Sequence, residues 1–244
     1  RALTFLERSV IESPKNSIYH CNLGVIQHNL RLFDEAKLSF LMAINLDHQN
    51  VDAHYNLAKL YKDLGLIDEA LSCYELVLSL DPKRSDACIN LGNLFLDLGR
   101  TDDAIVKFKV AIGLKPQDTR PLINLGNAFR RVGLADEAKI SYDKALKIKA
   151  HDGLRIKSTI TLPVVYENVE HINQTRDDLT RKLKQLLDEE LIVSNPSLET
   201  STTNFLLAYQ NRNDRDLQKT IAQIHLNSCA RLGWTAPHCK RANK

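Results

Sequence analysis

The chain has 244 residues, 43% of them hydrophobic, and its 33 basic and 30 acidic side chains give a formal charge of +3. This is the composition of a folded globular protein, and the near balance of charge excludes the clustered basic surface of a general nucleic-acid binder. No apolar run approaches the roughly 18 residues that span a bilayer, so we predict no membrane segment and a cytoplasmic location.

A period of 34 residues organises most of the chain. Four copies of Asn-Leu followed by a small residue begin at Asn22, Asn56, Asn90 and Asn124. Each copy continues with an alanine and, four residues later, an aromatic residue. Small residues let two helices approach closely, and the aromatic ring fills the gap that they leave. Glycines at 65, 99 and 133 end the first helix of a copy. The predicted unit is a helix hairpin.

This pattern resembles the tetratricopeptide repeat (TPR) family, whose 34-residue unit has a small residue at position 8, alanine at 20, an aromatic at 24 and proline near 32. Pro82 and Pro116 fit the proline column, whereas His48 and Ala150 depart from it. The resemblance implies an all-α fold, a right-handed superhelix or α-solenoid whose first helices line the concave surface. We predict four repeats, at 17–50, 51–84, 85–118 and 119–152, preceded at 1–16 by the second half of a truncated repeat.

The asparagine at position 6 of each repeat lies opposite the packed side of its helix on a helical wheel. Four amides in register predict a ladder that holds the backbone of an extended polypeptide. Two alternatives stay open: a solvated polar face, or asparagines bonded between neighbouring helices. The predicted peptide-binding residues are Asn22, Asn56, Asn90, Asn124, Asn93, Asn127, Asp52, Lys59, Asp86, Asp97, Arg120, Arg130 and Arg131.

Charge along this predicted surface changes sign. The middle repeats carry acidic residues, and the last repeat carries Arg120, Arg130 and Arg131. We expect acidic segments of a partner to prefer the C-terminal end, unless these charges only keep the surface soluble.

The 34-residue pattern is lost after residue 152. A short helix before Pro163, a longer helix over 167–190 and a polar linker make residues 153–204 a set of capping helices. The apolar stretch 205–209 predicts a strand, and Asp214 begins a helix, so residues 205–244 read as the strand-helix start of a catalytic region. The full fold prediction is therefore an all-α array with a small C-terminal α/β or helical extension.

Three segments in this region, "HDGLR" (151–155), "FLLAYQNRNDRDLQ" (205–218) and "TAPHC" (235–239), resemble the connector of bacterial O-linked N-acetylglucosamine transferase and SPINDLY-like glycosyltransferases. The resemblance implies that a longer parent chain uses a nucleotide-sugar donor and recruits protein substrates through its repeats. The catalytic lobes would follow residue 244, so no catalytic residue is assigned and the segment alone is expected to be inactive.

The sequence gives little indication of disulfides, a metal site or a cofactor. The five cysteines are scattered and never spaced as C-x-x-C, which indicates a reducing compartment and predicts no disulfide framework or metal site. No glycine-rich phosphate loop is present, so we predict no cofactor in this segment. The alternative function is a non-enzymatic scaffold that self-associates through exposed repeat ends.

Overall fold

The computed structural model describes residues 2–200, 207, 210, 212–229 and 232. They form two compact units, Arg1–Pro121 (the N-terminal unit) and Leu122–Lys244 (the C-terminal unit). Helices α1 to α7 belong to the first unit and α9 to α13 to the second, while α8 contributes residues to both. The helices are Ala2–Glu12 (α1), Ser17–Asn29 (α2), Phe33–Leu46 (α3), Val51–Asp63 (α4), Ile67–Leu80 (α5), Ser85–Asp97 (α6), Thr101–Leu114 (α7), Thr119–Arg131 (α8), Ala135–Ile148 (α9), Asp152–Ile160 (α10), Val169–Leu187 (α11), Pro196–Glu199 (α12) and Arg215–Ser228 (α13).

Helix hairpins build the N-terminal unit, with α2 packed on α3, α4 on α5 and α6 on α7. The alanine and aromatic columns of the sequence are its core: Phe40, Tyr74 and Phe108 are fully buried. A Cβ atom at Gly24 or Gly92 would lie 2.6 Å from the facing aromatic ring. Position 8 must therefore stay small because the ring of the second helix occupies the space beside it.

The turn between the two helices of a hairpin needs a residue in the left-handed conformation. Gly65 and Gly99 adopt φ of 75° there, and Gly133 adopts 82°. Arg31 fills the equivalent position of the first hairpin with φ of 62°. A side chain in this conformation is strained, which glycine avoids.

Replacing Arg31 with glycine is expected to raise the free energy of unfolding by about 1 kcal/mol, because the strain of the left-handed conformation is removed. Arg31→Ala is the matched control, since it removes the same charge and keeps the Cβ atom. Urea denaturation of both variants measures the difference. Equal stability of the two variants would show that strain at this turn is negligible.

Helix α11 of the C-terminal unit has one apolar side. Leu179, Leu183 and Leu186 are buried, but Val169 is 60% exposed. The buried side packs on α13 and α10. The three helices contribute most of one apolar cluster, to which the connecting segments add Leu162, Leu191, Val193 and Leu207. The helical members are Ile156, Ile160, Leu179, Leu183, Leu186, Leu217, Ile221 and Ile224.

The start of α10 contacts both the segment that leads into α12 and α12 itself. His151 accepts a hydrogen bond from the first turn of α10 through Nδ1, and Asp152 Oδ2 accepts one from the backbone N–H of Ile192 at 3.0 Å. A Cβ atom at Gly153 would lie 2.6 Å from the Glu199 side chain. The "HDGLR" segment therefore has a structural role within this unit.

An arginine holds the segment before α13 against α11. Arg176 donates through Nη1 to Gln210 Oε1 and to Asp214 Oδ1, each at 2.7 Å, and through Nη2 to the carbonyl of Asn213 at 2.9 Å. Gln210 in turn donates to the Tyr166 hydroxyl. The Arg176 and Asp214 side chains are only 15% and 16% exposed, so this ion pair is largely removed from water.

The predicted C-terminal strand lies almost wholly outside the described residues. Of residues 205–209 only Leu207 is described, and it is fully buried in a 3₁₀ turn. Asp214 does precede α13, but its side chain does not cap the helix; its Oδ1 accepts from Arg176 instead. The helix ends at Ser228. Gly233, a residue type that commonly ends helices, lies outside the described residues.

Candidate functional site

The asparagine column lies on the first helices of the hairpins. Asn22 is exposed on α2, Asn56 and Asn90 are half-buried on α4 and α6, and Asn124 is half-buried on α8. The next residue in each of these helices, such as Leu57 or Leu91, is buried. We call the surface that carries Asn22, Asn56 and Asn90 the first-helix face of the N-terminal unit.

Consecutive first helices of this unit are joined by hydrogen bonds between residues 35 positions apart. Asn90 Nδ2 donates to the Tyr55 hydroxyl at 2.9 Å. Asn56 Nδ2 approaches Cys21 Sγ at 3.9 Å and donates to the carbonyl of Asp52 at 2.9 Å. The asparagine at position 6 therefore bonds to position 5 of the preceding repeat, one of the two alternatives that the sequence left open.

The opposite end of each amide remains available. The Oδ1 atoms of Asn56 and Asn90 accept no hydrogen bond from the part of the chain that the structure describes. An oxygen that accepts no hydrogen bond is either buried without a partner or exposed to solvent, and neither of these oxygens belongs to the first group. Solvent therefore reaches both oxygens. Each asparagine thus presents an acceptor on the first-helix face, while its donors link the repeats.

The acceptors of these links stay protonated at neutral pH. Burial raises the pKa of the Tyr55 phenol, although the hydrogen bond from Asn90 opposes the shift. Burial likewise raises the pKa of the Cys21 thiol, with Asn56 opposing it. The guanidinium of Arg84 lies 4.7 Å from the centre of the Tyr55 ring, a cation–π contact that fixes this ring beside Asn90.

Ion pairs neutralise the acidic side chains predicted for this surface. Asp52 Oδ1 pairs with Arg84 at 2.6 Å, and Asp97 Oδ2 lies 3.9 Å from Lys62. The same spacing of 35 residues joins His28 to Asp63 at 2.8 Å. On the first helices of the middle repeats, each of these carboxylates therefore has a basic side chain as its partner.

Arg120 belongs to this network and not to a separate basic end. Its Nη2 lies 2.6 Å from both Asp86 Oδ1 and Asp118 Oδ2. Partial burial acts to raise the pKa of Asp86, but Arg120 and Lys115 outweigh it and hold the pKa below its usual value. A hydrogen bond from Arg120 similarly lowers the pKa of Asp118. Arg120 thus already has two carboxylate partners.

The remaining predicted site residues lie in different surroundings. Lys59 is exposed and lines a cleft of about 560 Å³ with His28, Arg31 and Asp63. Asn93 is half-buried, as is Arg130, and Arg131 is exposed; Asn93, Asn124, Arg130 and Arg131 all have interaction partners.

Asn127 lies in a polar cluster that the sequence analysis did not find. Its Oδ1 accepts from the Tyr142 hydroxyl at 2.8 Å and lies 3.4 Å from Lys157 Nζ. Lys157 is 3% exposed, and burial, reinforced by Arg130, lowers its pKa to about 8. The burial of Lys157 could have been predicted from the sequence, because helical spacing puts Lys157 on the same side of α10 as Leu154 and Ile160.

The described residues lack two other kinds of feature. They contain no group of three or more His, Cys, Asp and Glu side chains that could hold a metal ion. None of their helices is both long and apolar enough to cross a bilayer. His238 and Cys239, an adjacent pair whose side chains suggest a nucleophile or metal ligands, lie outside the described residues.

Comparison with known proteins agrees with the helix hairpins. Family models of the tetratricopeptide repeat match residues 51–84, 87–122 and 119–152, which confirms that the chain contains such repeats. No curated protein matches the chain.

Several solved structures share the fold. The crystal structure of MamA is 24% identical, with a TM-score of 0.56 over 60% of this chain and 86% of that chain. YrrB, described as a TPR protein with an unusual peptide-binding site, is 16% identical, with a TM-score of 0.61 over 85% and 98%. A tetratricopeptide repeat protein from Parabacteroides merdae is 17% identical, with a TM-score of 0.62 over 91% of both chains. These similarities confirm the all-α solenoid fold.

Proposed function

We propose that the tetratricopeptide repeats of this chain form a cytoplasmic protein–protein interaction module, in which the first-helix face of the N-terminal unit binds an extended polypeptide. The observation that carries the proposal is the pair of solvent-facing oxygens on Asn56 and Asn90. They repeat once per hairpin, and an extended chain offers backbone N–H donors at regular intervals. The peptide-binding site attributed to YrrB supports this use of the fold.

The test distinguishes the role of the amide oxygen of Asn90 from the role of its amide nitrogen. Peptides selected from a random display library on the wild-type chain are expected to bind Asn90→Ala about tenfold more weakly, a loss of roughly 1.4 kcal/mol, because the acceptor oxygen is gone. Fluorescence anisotropy of the labelled peptides gives the affinities.

Tyr55→Phe is the matched control for Asn90→Ala. It removes the hydroxyl that accepts from Asn90 Nδ2 and leaves the amide oxygen in place. We expect it to cost about 1 kcal/mol of stability with peptide affinity retained within about threefold. If Asn90→Ala binds as tightly as Tyr55→Phe, the asparagine serves only to link repeats.

A finer proposal concerns the parent protein. The resemblance of residues 151–155 and 205–218 to a glycosyltransferase connector supports a role as the substrate-recruiting arm of a nucleotide-sugar-dependent protein O-glycosyltransferase. Proteins cross-linked to the first-helix face in cells should then carry sugar on Ser or Thr, and those captured by Asn90→Ala should be depleted in it. Captured proteins without such sugar would contradict this role.

A second candidate function, a self-associating scaffold, is favoured by one observation. The second helices α3, α5 and α7 expose apolar side chains at the same two repeat positions. They are Leu38 (69% exposed), Met42 (46%), Leu76 (41%), Val106 (56%) and Val110 (44%). Sedimentation velocity over a range of concentrations tests this function: a larger species that Leu38→Ser and Val106→Ser together abolish would support it, and a constant monomer would refute it.

A further inference from the structure

Lys139 of α9 lies between two clefts on the surface of the C-terminal unit. It lines one cleft of about 270 Å³ together with Ser158 of α10 and Lys182 of α11. It also lines a second cleft of about 240 Å³, together with Thr159 of α10 and Asp178 of α11. The lysine itself is half-buried. A small molecule can therefore reach this side chain from solvent through either cleft.

The amine of Lys139 is not held by a partner, whereas the neighbouring cations are. Within the described residues Lys139 makes no hydrogen bond and no ion pair. Lys182 Nζ, in contrast, lies 2.8 Å from Asp178 Oδ2, and Arg155 Nη2 lies 2.7 Å from Glu189 Oε2. Lys139 is therefore available for reaction at a place where the other cations are engaged.

The surroundings of Lys139 favour the uncharged amine. Burial lowers the pKa of Lys139; Asp136, Asp178 and Asp143 oppose this shift without cancelling it, and Lys182 reinforces it. The other charged or titratable groups that line the two clefts are Arg155 on α10, His171 on α11 and Glu189 after α11. A lysine becomes a nucleophile only when it loses its proton, so burial makes Lys139 more reactive than an exposed lysine at the same pH.

We propose that Lys139 is a modification site, at which a small acyl phosphate that enters one of the clefts acylates the amine. The unprotonated Nζ attacks the carbonyl carbon and a C–N bond forms. The bond between that carbon and the phosphate oxygen breaks, inorganic phosphate leaves with the electron pair, and the proton of the amine passes to water. The balance needs no reactant other than the acyl phosphate.

The product fits this position better than the free lysine does. An amide is uncharged, so acylation removes the cost of keeping an ammonium without a partner in a half-buried position. Leu162 and Leu179 line the smaller cleft and Leu146 and Leu186 the larger one, which gives a short acyl chain apolar contacts on either side. The site lies in the C-terminal unit and does not depend on peptide binding by the N-terminal unit.

The experiment treats the full chain with acetyl phosphate at neutral pH and follows acetylation of each lysine by mass spectrometry of proteolytic peptides. Lys144 and Lys147, exposed residues of the same helix, are internal controls. We expect Lys139 to react about fivefold faster than either control. In the urea-unfolded chain the three rates should agree within about twofold, because the clefts are gone. A rate at Lys139 no higher than at the controls in the folded chain would overturn the proposal.

Two variants of α11 test whether the clefts cause this reactivity. Lys182→Met removes the cation that reinforces the lowered pKa of Lys139 and releases Asp178 from its ion pair, so acetylation of Lys139 should slow about threefold. Lys184→Met removes an exposed lysine that lines neither cleft and should leave the rate nearly unchanged. In the wild type, the rate at Lys139 should also reach its plateau at a lower pH than the rate at Lys144. Equal rates in the two variants, or coinciding pH profiles, would overturn the clefts as the source of the reactivity.

Discussion

Replacing Arg176 with alanine is expected to lower the free energy of unfolding of the C-terminal unit by about 3–5 kcal/mol, the usual cost of leaving one partner of a buried ion pair uncompensated. Asp214 would keep its charge in a largely buried position, and Gln210, which is 4% exposed, would lose its donor. Hydrogen exchange of the backbone amides of α11 and α13 reports on this unit directly.

Arg212→Ala is the control for this variant. Arg212 is exposed, and its hydrogen bond to Asn173 measures 3.5 Å, so its loss should change stability by less than about 0.5 kcal/mol. If the two arginine variants exchange at the same rates, the Arg176 cluster does not hold α13 against α11.

Replacing Lys157 with methionine is expected to raise the stability of the C-terminal unit at pH 7 by up to about 3 kcal/mol. The pKa of Lys157 is lowered from 10.5 to about 8 in the folded chain, so the unfolded chain binds more protons between these values. The stability of the wild type should therefore rise with pH from about 8 to 10.5, relative to the variant, and the difference should vanish near pH 10.5. Arg130 on α8 is the charged group that acts on this amine, and it also lowers the pKa of Lys157.

Urea denaturation at a series of pH values measures this difference, and Lys144→Met, which removes an exposed lysine of α9, is the control. Subtracting each variant from the wild type cancels the titration of the tyrosines and cysteines in the same range. A pH-independent difference for Lys157→Met would show that the amine is not perturbed by burial.

The helix hairpins could be predicted from the sequence because local rules and tertiary packing agree in them. A small residue at position 8, an alanine and an aromatic residue appear in every repeat, and where position 8 is glycine the aromatic ring of the same hairpin packs against it. The turn at Arg31 shows the limit of prediction from local sequence, because the fold imposes the left-handed conformation there even though the residue is not glycine.

The candidate site was predictable only in part, since its details depend on how neighbouring hairpins stack. A helical wheel correctly puts Asn90 opposite the packed side, but it contains no information on the offset of one residue that brings Tyr55 to its amide. The same offset pairs Lys62 with Asp97, and stacking also brings Arg84 to Asp52. Charges that look unbalanced in one repeat are therefore neutralised by the next.

The most direct test of the account is to map which face of the N-terminal unit a bound peptide contacts. With ¹⁵N-labelled chain and a display-selected peptide, we predict that the side-chain amide signals of Asn56 and Asn90 and the backbone signals of α4 and α6 shift on binding. Shifts confined to the exposed apolar residues of α3, α5 and α7, with both asparagine amides unchanged, would contradict binding at the first-helix face.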